Sequence, residues 1–197
     1  MSRKNALALR FKEAIRANQA ATDLFDETFC RFLGINRTDG RCLDIVDRFG
    51  TVSAGRLAIE SGLSTGAVTA VIDRLEAAGY LRRVRDQVDR RKVWVETTES
   101  AREITHRVFG YYMGMGAQIE EQFTASELDA IMRFLNIGAF LNTELAAALR
   151  EHFDPEAKTA EARAEQARIF ARAMAAYAPR LDAEMKAIGS GFCEPEG

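Results

Sequence analysis

The chain has 197 residues, of which 47% are hydrophobic and 28% charged, with a formal net charge of −2. This is the balance of a globular chain of one domain, or of one domain with an appendage, and it excludes disorder along the whole length. No apolar run approaches the ~18 residues that span a bilayer, and residues 1–7 lead into alternating polar and apolar positions rather than the apolar core of a secretory leader, so a cytoplasmic protein with no membrane partner is expected.

No proline precedes Pro155, so long helices are expected early and punctuation late. Leu7, Phe11, Ile15, Phe25, Phe29 and Phe32 recur at steps of three, four or their sums. That is the stripe of one long helix over residues 5–33, or of two helices broken near residues 20–22. Gly34 ends it. After Asp39-Gly40 a short helix over 41–49 is expected to turn Leu43, Val46 and Phe49 inward, and Gly50 stops it. Ser53 caps a helix over 54–61 that carries Leu57 and Ile59. Gly62 breaks the chain and Ser64 caps the next helix, over 65–78, with Val68, Val71, Ile72 and Leu75 as its buried stripe and Gly79 at its end. Two helices meeting over Gly62-Leu63-Ser64 have the grammar of a helix-turn-helix. The period then changes. Residues 81–85 and 92–97 flank a polar tip, with Val93 and Val95 alternating against polar neighbours, which predicts a two-stranded hairpin, or wing.

Thr98 or Ser100 caps the following helix, Ser100 and Glu103 fitting a capping box, and Ile104, Val108, Tyr111, Met115 and Ile119 form its stripe. Thr124 and Glu127 fit a second box, ahead of a helix carried by Leu128, Ile131, Leu135, Leu141, Leu145 and Leu149 to about residue 152. Asp154-Pro155 reads as the start of an Ala-rich helix that ends near Tyr177, and Pro179 as the start of a last short helix closed by Gly189. The expected fold class is mainly α with a small β wing.

Charge is unevenly spread. Residues 1–40 hold 7 basic and 5 acidic groups, residues 41–107 hold 12 and 10, and residues 108–197 hold 8 and 14. Within 81–92 six basic residues face only Asp86 and Asp89. A short cationic segment on an acidic chain points to a polyanion contact confined to one face.

At these positions the chain resembles the MarR family of transcriptional regulators. The run Leu63-Ser64-Thr65-Gly66-Ala67-Val68-Thr69-Ala70-Val71-Ile72-Asp73-Arg74-Leu75-Glu76-Ala77-Ala78-Gly79-Tyr80-Leu81 is similar to the family's recognition helix. Asp89-Arg90-Arg91, Val93, Val95 and Thr98-Glu99 follow at the wing's distance. The resemblance is strong over 34–107, is one of pattern only to about residue 150, and does not extend to 155–197. Ala70 stands where many members carry Arg, which puts one base or phosphate contact in doubt, and Thr97-Thr98 replaces a common Leu-Thr at the end of the wing. The resemblance implies a winged helix-turn-helix flanked by long dimerisation helices. The expected domains are residues 1–38, an N-terminal dimerisation helix region; 39–107, the winged helix-turn-helix lobe; 108–153, C-terminal dimerisation helices; and 154–197, an Ala-rich helical extension with a frayed tail.

The residue types fit double-stranded DNA. A major groove admits one helix, whose N-terminal side chains reach base edges. Ser64, Thr65 and Gly66 are small and let the helix end, with its free N–H groups and positive dipole, approach phosphate. Thr69 lies one turn on, on the same face, with a methyl for thymine and a hydroxyl for hydrogen bonding. Arg74 either reaches a phosphate or forms a structural ion pair, for instance with a wing carboxylate. Arg90 or Arg91 at the wing tip can enter a narrow minor groove, with Asp89 as an orienting partner, and Arg82, Arg83, Arg85 and Lys92 add backbone contacts.

Other residues carry two readings. Phe25, Phe29 and Phe32, with Tyr111 and Tyr112, are either plain core or the lining of a pocket for a small-molecule effector, which in the resembling family binds between the dimerisation helices and the DNA-binding lobe. Cys30 and Cys42 are either inert buried thiols or oxidant sensors. Cys193 pairs with neither in sequence, and His106 and His152 have no ligand spacing, so no disulfide framework, metal or cofactor is expected. No nucleophile–base set, HExxH, P-loop or dinucleotide signature is present, so no catalytic residue is nominated. The expected function is that of a sequence-specific DNA-binding transcriptional regulator that binds a palindromic operator as a homodimer and answers to a small effector. The alternative is a winged-helix protein-interaction module without DNA binding.

Overall fold

The structure, a computed structural model, describes residues 3–85 and 93–190, apart from the side chains of residues 93 and 111–114. The helices are α1 (Arg3–Leu33), α2 (Arg37–Phe49), α3 (Ala54–Ser61), α4 (Thr65–Ala77), α5 (Glu99–Glu120), α6 (Ala125–Glu151) and α7 (Ala160–Ser190). The strands are β1 (Thr51–Ser53), β2 (Leu81–Arg85) and β3 (Val93–Thr97). The chain divides within α5 into two compact units, Met1–Tyr112 and Met113–Gly197.

The first unit is a winged helix-turn-helix preceded by α1, which is one unbroken helix. Its core is a single cluster to which most elements of the lobe contribute: Cys42, Ile45 and Val46 from α2, Val52 from β1, Leu57 from α3, Val68, Val71, Ile72 and Leu75 from α4, Leu81 from β2 and Val95 from β3. The expected stripe of α4 is thus the buried one in full. The hairpin pairs Leu81 with Thr97 through Arg85 with Val93, antiparallel. β1, which alternation did not predict, adds a third strand on the far side of β3, giving the order β1-β3-β2. Three residues are too few to show a period of two.

Local chemistry sets most boundaries. Ser53 and Ser64 cap α3 and α4 through their hydroxyls, which accept from the N–H groups of Arg56 and Ala67. Gly62 ends α3 in the left-handed region at φ 70°, where a Cβ would be strained. Thr98, not Ser100, caps α5, accepting from Ala101 N–H at 3.1 Å.

α2 departs from expectation. It begins at Arg37 because Asn36 caps it, accepting from Asp39 N–H at 2.9 Å, so Asp39-Gly40 lies inside the helix. Its buried apolar residues are Cys42, Ile45 and the expected Val46, with the expected Leu43 half-buried against the same core. Phe49 faces outward, between the guanidinium groups of Arg48 and Arg56 at 4.6 and 4.2 Å from its ring centroid. Ile59 on α3 is exposed as well.

In the second unit α6 and α7 pack antiparallel: Ile137 lies near Gly189, Arg180 is 3.9 Å from Glu144, and Gln166 donates to the His152 carbonyl at 2.7 Å. Thr124 and Glu127 form the expected capping box of α6. α7 starts at Ala160, with the Thr159 hydroxyl accepting from Ala162 N–H at 3.2 Å, so residues 155–159 are not helical. Pro179 does not start a new helix. It lies within α7, forgoing its bond to the Ala175 carbonyl, and the continuation is pinned by Arg180, which bonds Glu184 at 2.9 Å and reaches Glu144 on α6.

Candidate nucleic-acid interface

The turn Gly62-Leu63-Ser64 delivers the first turn of α4 to the surface. Ser64, Thr65, Gly66, Ala67 and Thr69 are all exposed, while Val68 and Val71 on the opposite face are buried. A Cβ built on Gly66 would meet nothing within 4 Å. Nothing inside the protein therefore requires glycine there, and the bare backbone is available to something outside. The Thr69 hydroxyl donates to the Thr65 carbonyl at 3.1 Å, which keeps its lone pairs and methyl outward.

The arginines nominated for backbone contact fall into three groups. Arg74, Arg82 and Arg83 are tied to carboxylates. Arg74 grips Asp39 with two bonds, Nε to Oδ2 at 3.0 Å and a terminal nitrogen to Oδ1 at 2.5 Å. Its partner is thus on α2, not on the wing. Arg82 bonds Glu96 across the hairpin, where the two are register partners. Arg83 reaches back from β2 to α4, bonding Asp73 at 2.5 Å and Glu76 through both its guanidinium and its backbone N–H. Hydrogen bonding to Asp39 and to Asp73 raises the pKa of Arg74 and Arg83 above the ordinary arginine value, so both stay charged. Arg85 is exposed, and no carboxylate among the described residues pairs with it. Arg90, Arg91 and Lys92, with the tip residue Asp89, lie outside the described residues.

Behind this face, still in the first unit, is a cavity of about 520 Å³ between α1, α2 and α5. Phe29 and Phe109 line it and meet edge to face, with centroids 5.0 Å apart. Phe25 stacks on Phe29 and meets Phe109 edge-on, but does not line the cavity. Phe32 is 71% exposed and does not line it either. The side chains of Tyr111 and Tyr112 lie outside those described. Thr38, Cys42, Thr105 and Phe109 are among the lining residues that the sequence does not point to as a pocket. Only the assembled helices bring them together, and the one available signal was an apolar position every third or fourth residue. Cys30 and Cys42 line the cavity, and burial pushes both thiols up, away from the reactive thiolate. Among the described residues no His, Cys, Asp and Glu cluster could hold a metal ion, and no helix is long and apolar enough to cross a membrane.

A capped, exposed helix end following a tight turn, with a cationic hairpin fastened to the same helix, defines a winged helix-turn-helix DNA-binding regulator. Comparison with known proteins narrows this. The model of the MarR family matches residues 35–93. The chain is 33% identical over 147 residues to the HTH-type transcriptional regulator YcgE of Bacillus subtilis, spanning 73% of this chain and 96% of that protein. It is 30% identical over 93 residues to the regulator YwhA of the same organism, spanning 47% of this chain and 67% of that one. Its fold is shared by Streptococcus pneumoniae FabT in complex with DNA, at 24% identity and TM-score 0.55 over 68% of this chain and 97% of that one. RV1404 from Mycobacterium tuberculosis is similar at 21% identity and TM-score 0.51, over 71% and 96%. The chain belongs to the MarR family of DNA-binding transcriptional regulators, and is not an enzyme.

Proposed function

We infer that the chain acts as a homodimer on palindromic double-stranded DNA and that a small molecule bound in the cavity modulates this binding. The observation that carries the DNA reading is the exposed leading end of α4, from Ser64 to Thr69, backed by a fully packed opposite face. Ser64, Thr65, Gly66 and Thr69 enter the major groove. Arg85, Arg90, Arg91 and Lys92 hold phosphates or the minor groove through the wing. Arg74, Arg82 and Arg83 are committed to carboxylates of the lobe itself.

The dimer reading is supported by apolar faces that one copy leaves open. Leu7, Phe11, Leu24 and Phe32 on α1 are exposed, as are Leu135, Leu145 and Leu149 on α6. α6 and α7 bury none of their side chains fully. Two helices joined in this way gain too little burial to persist alone. A second copy related by a two-fold axis covers such faces, using residues 1–38 and 108–153, with the 154–197 extension alongside. It would present two α4 helices to half-sites about one DNA turn apart. Phe29 and Phe109 give the cavity an aromatic wall suited to a small apolar or aromatic effector.

Selection of bound duplexes from a random pool tests the proposal. The expected result is a winning site with two inverted half-sites. Failure to enrich any sequence, or enrichment of a single unpaired half-site, would refute the dimeric operator reading. Replacing Arg90 and Arg91 by Ala should weaken binding to the winner and flatten its salt dependence.

A further inference from the structure

We propose that the ion pair between buried Asp39 and half-exposed Arg74 is the relay by which occupancy of the cavity reaches the recognition helix, with Arg74 acting as a positioning residue rather than a DNA contact. The proposal rests on the cavity being the effector site, as inferred above.

Asp39 is the third residue of α2 and is 3% exposed. Both oxygens of its carboxylate are engaged. Oδ1 accepts from Arg74, and Oδ2 accepts from Arg74 and from the Asn36 side-chain amide at 2.9 Å. The backbone N–H of Asp39 is held by the same Asn36. The side chain therefore cannot move without its helix end, and the helix end cannot move without Arg74. The neighbours of Asp39 on either side, Thr38 and Gly40, line the cavity. Gly40 is packed against Cys30 Sγ so closely that a Cβ there would collide with it.

A ligand that presses on the first turn of α2 thus displaces an anchored carboxylate. Stranding that buried carboxylate without its partner is costly, so the helix that carries the partner is drawn along with it. That helix is α4. The residues next to Arg74 in its last turns, Asp73 and Glu76, hold Arg83 of β2, so a pull on Arg74 turns recognition helix and wing base together. A rival route exists, because Ser61 and Leu63 of the turn before Ser64 also line the cavity.

The test uses the full chain and the duplex selected above, with the cavity filled by substitution. Thr105→Trp fills it from α5, and Leu33→Trp from the end of α1 serves if the first does not fold. Duplex affinity is measured by fluorescence anisotropy for each filled variant alone and combined with Asp39→Asn, Arg74→Met or Arg74→Lys. Filling should change Kd about tenfold or more in the parent background and by less than about twofold where the pair is removed, a loss of coupling that mere destabilisation does not produce. Arg74→Lys, which keeps the charge, should restore part of the response. Arg74→Met should leave the slope of log Kd against log salt at the parent value, whereas loss of a phosphate contact would lower it by about 0.9 per subunit. A response that persists in full without the pair assigns the route to the 61–63 turn and overturns the relay while the cavity reading stands. A lowered salt slope overturns the positioning role. No response to filling in the parent overturns the relay and the cavity reading together.

Discussion

Two neighbouring arginines on one strand should behave in opposite ways when removed. Arg83 has a side chain 35% exposed, clamped between Asp73 and Glu76, whereas Arg85 is exposed with no carboxylate partner among the described residues. If Arg85 neutralises one phosphate per subunit, Arg85→Ala releases about 0.9 fewer ions per subunit, or about 1.8 per dimer. Over a fourfold rise in salt, each contact contributes a factor of about 3.5, and two contacts about 12. Parent and Arg85→Ala should therefore differ most at low salt and converge as salt rises. Arg83→Ala should leave the slope unchanged. It costs about 1 kcal/mol or less of fold stability because the pairs are partly solvated. Anisotropy titrations of both variants across four salt concentrations, with urea unfolding alongside, give both quantities. Equal losses of slope in the two variants would refute the division of the arginines into clamped and free.

The remaining expectations concern single positions. Gly66→Ala should stabilise the fold by up to about 1 kcal/mol, since alanine favours a helix and the space is open. It should nonetheless weaken duplex binding, because the added methyl faces the DNA; a melting curve and a binding curve on the same sample check both signs. Gly40→Ala should destabilise the first unit through its collision with Cys30, and Cys30→Ala in the same chain should recover most of the loss, a double-mutant cycle that urea unfolding resolves. Glu127 is held below its ordinary value of 4.5, first by the Thr124 backbone N–H and then by the Thr124 hydroxyl. A depressed carboxylate contributes stability above its unfolded pKa and loses it as pH falls through the folded one. The helicity difference between the parent and Thr124→Ala, followed by circular dichroism, should thus be present at neutral pH and shrink as the solution is acidified below about pH 4.5.

What the sequence determined by itself was the set of features whose cause lies within a few residues along the chain. Ser53, Ser64 and Thr124 cap helices because each oxygen reaches an N–H three residues on. Gly34, Gly62 and Gly79 end helices because each adopts a positive φ. The apolar stripe of α4 and the hairpin follow from periodicity, so the helix-turn-helix, its wing and the exposed end of the recognition helix were legible before any coordinates. Tertiary structure decided what depends on partners far away in sequence. Asp39-Gly40 reads as a turn, yet both residues sit within a helix capped by Asn36, and only the fold sets Arg74, 35 residues on, against the aspartate and Cys30 against the glycine. Arg82 and Arg83 look like free cations until the fold sets Glu96 and Glu76 beside them. β1 exists only as a partner of β3, and Pro179 stays in α7, which docks on α6 around it. The cavity is the extreme case. Its walls come from four helices, a turn and a strand, and no local pattern encodes a space that packing leaves unfilled.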